Sequence, residues 1–181
     1  AALGIMNLSW RWPEVKAELA RGGTIQHLIK MLNTADPMAK EYAAGALMNM
    51  TAGSTENAEK AAPVVAPLVE LLKAEGIQAA EWAAGALANI VRAGEEAQAE
   101  AIKCGAMENL ARLLPKVTNN GKTLAVLAIT SLAETQADVV AKALSGAKEK
   151  ARLREFRDSG NEELQDYTNT LLEKIGNGFS V

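Results

Sequence analysis

Residues that commonly carry chemistry are scarce in this sequence. Its 181 residues include one cysteine and one histidine, and aromatic residues make up only 4% of the chain. One cysteine cannot form a disulfide within the chain, and one histidine beside one cysteine leaves few ligands for a zinc site. The low aromatic content also argues against a sandwich or barrel of strands. We therefore expect no metal, no cofactor and no enzymatic activity.

A strong charge of one sign and long apolar runs are missing as well. Acidic residues number 22 and basic residues 19, a net charge of −3, which argues against a protein that holds nucleic acid through bulk positive charge. No uninterrupted apolar run reaches the ~18 residues of a membrane span, and no signal peptide is present. We expect a soluble protein without membrane insertion. It would be cytoplasmic, with the nucleus as the alternative, since a lone thiol fits a reducing compartment.

Alanine is the residue present in excess. It accounts for 35 of the 181 residues, in a chain that is 49% apolar. Alanine has the highest helix propensity, and its small side chain lets helices approach closely. The composition therefore predicts an all-α fold.

The sequence also repeats itself. Residues 83–90 match residues 43–50 at six of eight positions, 40 residues apart. Residues 1–8 and 125–132 are further copies in the same register, the second of them weaker. A recurring block at a fixed period is typical of a solenoid, in which each unit contacts only its neighbours.

A second signature precedes each block in the same register. Residues 28–32 match residues 68–72 and 110–114. Turn residues between the signatures divide each full unit into three helices, and we expect the last helix to begin with a capping box of Ser159 and Glu162. The predicted units of this single domain are a partial repeat at 1–9, full repeats at 13–53, 54–94 and 95–135, and a diverged C-terminal capping repeat at 136–176.

These two motifs resemble the armadillo repeat family. The resemblance rests on Gly-x-Ile-x-x-Leu-Ile-x-Met-Leu at residues 23–32 and on Ala-Ala-Gly-Ala-Leu-x-Asn-Met at residues 43–50, with their copies. It covers essentially the whole chain and implies a right-handed α-solenoid of three-helix repeats. HEAT repeats, the alternative, have a similar length but lack the second motif.

The resemblance implies a row of binding residues on the third helices. In the family, an asparagine there hydrogen-bonds the backbone of an extended peptide in a concave groove. The matching positions in this sequence are Asn7, Asn49 and Asn89, with Ser131 as a shorter substitute. An amide suits the role because it donates and accepts at once. The alternative is that each asparagine caps a neighbouring loop or helix end.

Other residues on the same helices complete the predicted groove. Tyr42 and Trp82 lie seven residues before an asparagine and are candidates for a side-chain pocket or for packing under the next repeat. Gly45 and Gly85 lie inside helices, where each costs about 1 kcal/mol relative to alanine. We expect close packing or room for a ligand to offset that cost. Glu41 and Glu81 are candidates for contact with a basic ligand or for plain solvation.

One departure separates branches of the family. The importin-α type has a tryptophan four residues before the asparagine, which holds lysine stems of a nuclear localisation signal. Here those positions are Leu3, Gly45, Gly85 and Leu127. The sequence is more similar to the β-catenin and vacuolar armadillo protein type.

The leading hypothesis is a protein–protein interaction module, a scaffold or adaptor that holds an extended peptide segment of a partner protein. A second hypothesis is a structural subunit of a larger complex that uses helical edges or the N-terminal end, with an empty groove. A third is the substrate-recognition arm of a longer, ubiquitin-ligase-like enzyme. For Trp10 and Trp12 we expect packing between helices more than contact with a partner, and for His27 a position on the outer surface.

Overall fold

A computed structural model describes residues 2–176, so Ala1 of the first predicted unit lies outside it. The described chain is helical, with no strand, and the all-α prediction is confirmed. The α-helices are α1 (Ala2–Arg11), α2 (Pro13–Arg21), α3 (Thr24–Leu32), α4 (Pro37–Thr51), α5 (Thr55–Ala61), α6 (Val65–Leu71), α7 (Ile77–Val91), α8 (Glu95–Lys103), α9 (Ala106–Leu113), α10 (Asn119–Ala143), α11 (Ala147–Arg157) and α12 (Glu162–Ile175). A 3-10 turn, Ala62–Val64, joins α5 to α6.

The helices form a repeat solenoid. Two short helices precede each of the long helices α4, α7 and α10, and the order short, short, long recurs along the chain. The long helices pack in succession: α1 against α4, α4 against α7, α7 against α10, and α10 against α12. The unit boundaries given above stay predictions.

Local sequence explains where the helices begin. Pro13 and Pro37 occupy first helical positions, where the missing N–H is not needed. The Asp36 carboxylate accepts a hydrogen bond from the backbone N–H of Met38 at 3.0 Å and caps α4. Gly23 and Gly105 precede α3 and α9 with φ of 76° and 81°, a left-handed conformation that favours glycine.

The core runs the length of the chain along the long helices. Leu47, Leu87 and Ile129 hold equivalent positions in α4, α7 and α10 and are fully buried. Helix α7 is buried over most of its surface because it lies between α4 and α10, and most of its buried side chains are alanine. The alanine excess of the sequence is therefore concentrated where two neighbouring helices approach the same helix.

Helix α10 differs from the other long helices in length. Its 25 residues bend at Gln136, where the backbone is not helical (φ −121°, ψ 35°). By length and composition alone α10 could cross a membrane, although the sequence has no uninterrupted apolar run of that length. Half of its most apolar stretch is buried inside the fold against neighbouring helices, as in a core helix.

The predicted capping box of α12 is wrong. The helix begins at Glu162, and Asn161 caps it by accepting a hydrogen bond from the N–H of Leu164 at 3.1 Å. The Ser159 hydroxyl instead donates to the carbonyl of Phe156 at 2.8 Å. Asparagine and serine are equally good caps, so the sequence did not distinguish these two positions.

The cap assignment predicts unequal effects of two alanine substitutions. Asn161→Ala removes the cap and should cost about 1 kcal/mol, or a fall in Tm of roughly 2–4 °C for a chain of this size. Ser159→Ala, the matched control, should change Tm by less. Thermal unfolding followed by circular dichroism measures both, and a larger fall for Ser159→Ala would contradict the assignment.

Candidate functional site

The asparagines of the long helices bond to the preceding long helix. Asn49 Nδ2 donates to the carbonyl of Met6 at 2.9 Å, and Asn89 Nδ2 donates to the carbonyl of Met48 at 3.0 Å. In both cases the acceptor carbonyl belongs to the residue just before the matching asparagine of the preceding helix: Met6 precedes Asn7, and Met48 precedes Asn49. These bonds are neither the predicted ligand contacts nor caps of a loop or helix end. They join the last turn of α4 and of α7 to the preceding long helix, and we call each one an amide clasp.

The clasp leaves part of each amide unused. An asparagine side chain has two N–H donors and one carbonyl oxygen. Of these, one N–H of Asn49 and of Asn89 is bonded, and the rest have no partner among residues 2–176. Both side chains are half-buried, so their free groups reach solvent.

The other two predicted members of the row behave differently. Asn7 is exposed, and its side chain forms no hydrogen bond within the described range. Ser131 is buried, and its hydroxyl donates to the carbonyl of Leu127 in its own helix at 2.9 Å. A serine is too short to repeat the clasp, so the pattern stops at α10. The row from Asn7 to Asn89 is the part that offers free amide groups, and we call this surface the ladder face.

The two glycines of the long helices accommodate side chains from both sides. A Cβ on Gly45 would lie 2.6 Å from Met6 Sδ and 2.9 Å from Trp82 Cε3, which is closer than real contacts allow. A Cβ on Gly85 would lie 2.9 Å from Met48 Cγ and 3.2 Å from Leu124 Cδ2. Both glycines are buried. Their contribution is room for three helices to interlock, one of the two compensations expected from the sequence.

The side chains of Tyr42 and Trp82, candidates for a pocket or for packing, contact each other. The rings of Tyr42 and Trp82 lie with centroids 6.3 Å apart and planes tilted by 38°, a favourable arrangement for aromatic pairs. Both side chains are half-buried, so they pack against the core and also present a surface. Trp82 therefore packs between repeats, over Gly45, and its role in a side-chain pocket stays a prediction.

Glu81 has a role that the sequence analysis missed. It is a buried carboxylate whose Oε1 accepts a hydrogen bond from the N–H of Thr118, the N-cap residue of α10, at 2.8 Å. A Cβ on Gly121 would come within 2.6 Å of the Glu81 side chain, so the glycine makes room for the carboxylate. A negative charge at a helix N-terminus is stabilising. Glu81 is therefore neither solvated nor free for a basic ligand.

The residues equivalent to Glu81 in the neighbouring long helices also lie near the start of the next long helix. The Glu41 carboxylate lies next to Gly76, the N-cap residue of α7. Thr123 accepts a long hydrogen bond, 3.4 Å, from Asn161 at the start of α12. In each case the residue eight positions before the asparagine position contacts the start of the next long helix. The signal in the sequence was the recurrence of Glu41 and Glu81 in register with glycine or threonine at the next helix start.

Arg92 carries a positive charge beside the ladder face. It is exposed, lies three residues after Asn89, and has no carboxylate within 4 Å in the described range. Arg92 and Asn89 line a polar cavity of about 250 Å³ together with the hydroxyl residues Thr51, Ser54 and Thr55. This cavity can take an anionic or hydrogen-bonding group.

The two tryptophans near the start of the chain are exposed, with 74% of Trp10 and 55% of Trp12 accessible. The expectation that they pack between helices is wrong for this structure. Leu3 and Leu8 on α1 are exposed as well. In α4 and α7 the positions equivalent to Leu3 and Leu8 are buried by neighbouring helices.

The single histidine and the single cysteine lie apart from any cluster of metal ligands among the described residues. His27 lies on the surface, as expected, and its Nδ1 is 3.1 Å from the carbonyl of Gly23. Burial raises the pKa of the Cys104 thiol, and the neighbouring Glu100 carboxylate raises that pKa further. A raised pKa keeps the sulfur protonated and unreactive at neutral pH. Within residues 2–176 no three His, Cys, Asp or Glu side chains cluster as metal ligands would.

Solved structures with a similar fold include armadillo repeat proteins. A designed armadillo repeat protein superposes with a TM-score of 0.80 at 28% identity, over 95% of this chain and 73% of its own. Another designed armadillo repeat protein, solved in complex with the peptide (KR)4, gives a TM-score of 0.73 at 27% identity, over 95% and 72% of the two chains. The armadillo repeats only protein from Plasmodium falciparum gives 0.75 at 16% identity, over 97% and 78%.

No protein-family model and no curated protein sequence matches the chain. The structural likenesses support an armadillo-like fold and, through the designed proteins, a repeat scaffold that binds peptides in general.

The filled space above Gly45 predicts a stability difference between two helical glycines. Gly45→Ala should lower Tm by several degrees, because the added methyl must displace Met6 and Trp82. Gly4→Ala is the matched control, since a Cβ on Gly4 would meet nothing within 4 Å. There alanine should raise stability by up to about 1 kcal/mol through helix propensity. Thermal unfolding measures both, and equal shifts would contradict the packing described here.

Proposed function

We propose that the ladder face binds an extended segment of a partner protein and that the chain acts as a scaffold or adaptor in the cytoplasm or nucleus. One observation carries the proposal: Asn49 and Asn89 keep a free N–H and a free oxygen, at equal positions on adjacent helices, after their clasps are made. A backbone offers the complementary carbonyl and N–H at each residue. Equally spaced amides can therefore hold an extended chain largely without regard to its side chains.

The surroundings favour a ligand with apolar and acidic side chains. Tyr42 and Trp82 supply an aromatic surface next to the row, and exposed Arg92 supplies the nearby positive charge. The candidate acidic partners for a basic ligand, Glu41 and Glu81, lie at helix starts. Charge complementarity therefore favours a carboxylate near Arg92 over a lysine or arginine.

The same features argue against binding of a nuclear localisation signal. Lysine stems would need aromatic walls four residues before each asparagine, where this chain has Leu3, Gly45, Gly85 and Leu127. The two glycines are covered by methionine, tryptophan and leucine side chains of neighbouring helices. These positions support our proposal that the mode of binding is nearer the β-catenin type than the importin-α type.

Two eight-residue probes test the groove: an acidic peptide, (Leu-Asp)4, and a basic one, (Leu-Lys)4. The acidic peptide should bind more tightly, as measured by isothermal titration calorimetry. Asn49→Ala with Asn89→Ala should weaken that binding roughly 5- to 30-fold, because two hydrogen-bonding groups are lost. Arg92→Ala should bring the two peptides closer in affinity. Preference for the basic peptide, or unaltered binding by the double variant, would contradict the proposal.

Because the clasps also stabilise the fold, the binding test needs a control variant that loses a row amide without a fall in Tm. From the sequence alone, the double alanine variant would leave melting nearly unchanged. The clasps predict instead a fall in Tm, since each lost hydrogen bond contributes about 1 kcal/mol. Asn7→Ala removes an amide of the same row that makes no clasp, so it should weaken peptide binding without lowering Tm. If all three asparagines affected only Tm, the row would be structural.

A second candidate function has one observation in its favour. Four large apolar side chains on and next to α1 are exposed, namely Leu3, Leu8, Trp10 and Trp12, and exposed apolar side chains in one region favour a contact site. As a structural subunit, the chain would dock through this end with an empty groove. Leu8→Asp would then abolish assembly, measured by light scattering, while the asparagine variants would be silent. A third function, the recognition arm of a longer enzyme, uses the same groove and differs in what the chain is joined to.

A further inference from the structure

A cavity of about 380 Å³ lies between α6, α7 and α9, away from the ladder face. Its apolar lining comes from Leu72, Ile77, Ala80 and Leu113, and Ile77 is among the exposed large apolar side chains of the chain. Ile77 is the first residue of α7 and Asn89 lies twelve residues later, about 18 Å along the helix. The cavity is therefore a separate place from the row of asparagines.

Asn109 on α9 lines this cavity and has no hydrogen-bond partner. Its side chain is only 6% exposed, and no described residue accepts from it or donates to it. The contrast is Asn57 on α5, which is 5% exposed and donates to the carbonyl of Met50 at 2.8 Å. No buried side-chain nitrogen or oxygen among residues 2–176 lacks a hydrogen-bond partner, so the unbonded amide atoms of Asn109 are open to the cavity. The amide is therefore available to a group that enters the cavity.

The equivalent cavity one repeat earlier lacks this feature. It has a volume of about 350 Å³ and is lined by Pro67, which occupies the position of Asn109 in its own helix. Proline has no side-chain polar group. The open amide is therefore specific to the cavity between α6, α7 and α9 and is not a general consequence of the repeat.

The charged lining of the Asn109 cavity is mainly basic. Lys73, Arg112 and Lys116 face one acidic residue, Glu75. Lys73, in the turn after α6, pairs with Glu70 at 2.6 Å, and Arg112 pairs with Glu108 at 2.8 Å on α9; all four side chains are exposed. Lys116 has no ion-pair partner within 4 Å among residues 2–176. The lining thus offers an amide N–H and an unpaired ammonium group beside an apolar wall.

We propose that this cavity is a second recognition site, which takes a glutamate or aspartate carboxylate flanked by aliphatic side chains on a segment of a partner protein. The carboxylate accepts from Asn109 Nδ2 and from the Lys116 ammonium group, with Arg112 as a further donor. The aliphatic neighbours of the carboxylate pack on Leu72, Ile77 and Leu113. The exposed isoleucine at the rim favours a peptide over a free inorganic anion, which would leave this apolar surface uncovered.

Nuclear magnetic resonance of the Asn109 side-chain amide tests the ligand. The probes are acetyl-Leu-Glu-Leu-amide, the same peptide with glutamine in place of glutamate, and sodium acetate. The glutamate peptide should shift the Asn109 amide signals at least several-fold more than the glutamine peptide at equal concentration, and acetate should need a higher concentration for the same shift. Equal shifts from the two peptides, equal potency of acetate, or no shift at Asn109 would each overturn the proposal.

Thermal unfolding separates a recognition site from a structural role. Asn109→Leu removes an amide that bonds to no described residue, so Tm should not fall, and the variant should abolish the peptide-induced shifts at the Lys116 and Arg112 signals. Asn57→Leu is the matched control: it breaks a buried hydrogen bond and should lower Tm. A fall in Tm for Asn109→Leu as large as that for Asn57→Leu would show that Asn109 supports the fold, and the proposal would be wrong.

Discussion

The close approach of successive long helices is the constraint on which the rest of the structure depends. Between α4 and α7, and between α7 and α10, that approach is possible because the facing positions are alanine and glycine. Glycine in a helix is unfavourable by about 1 kcal/mol relative to alanine. Here it makes room for Met6 and Trp82 over Gly45, and for Met48 and Leu124 over Gly85.

The same approach determines what the asparagines do. The distance between neighbouring helices lets an amide on one helix reach a backbone carbonyl on the preceding helix, so Asn49 and Asn89 stabilise the stack and remain partly free for a ligand. The proposed binding is therefore coupled to folding at these two residues, whereas Asn7 is free of that coupling. The carboxylate of Glu81, next to the row, also bonds within the fold, because it accepts from the N–H at the start of α10.

Much of the fold could be predicted from the sequence, because a motif that recurs at a fixed period constrains each copy. The all-α solenoid followed from such patterns, and the close packing at Gly45 and Gly85 was one of the two outcomes that they left open. Contacts between repeats did not follow from these patterns. Whether Glu81 is solvated, whether Trp10 is covered, and whether Asn109 finds a partner depend on which residues of another repeat lie opposite, and a single sequence does not specify that.

The central claim, that a row of amides joins the long helices while keeping groups free for a ligand, can be tested by hydrogen exchange of side-chain amides in the unliganded protein. One of the two Nδ2 protons of Asn49 and of Asn89 should exchange slowly, because it bonds to a carbonyl of the preceding helix. The other proton of each pair should exchange rapidly, as should both protons of Asn7. Equally rapid exchange of all these protons would contradict the account.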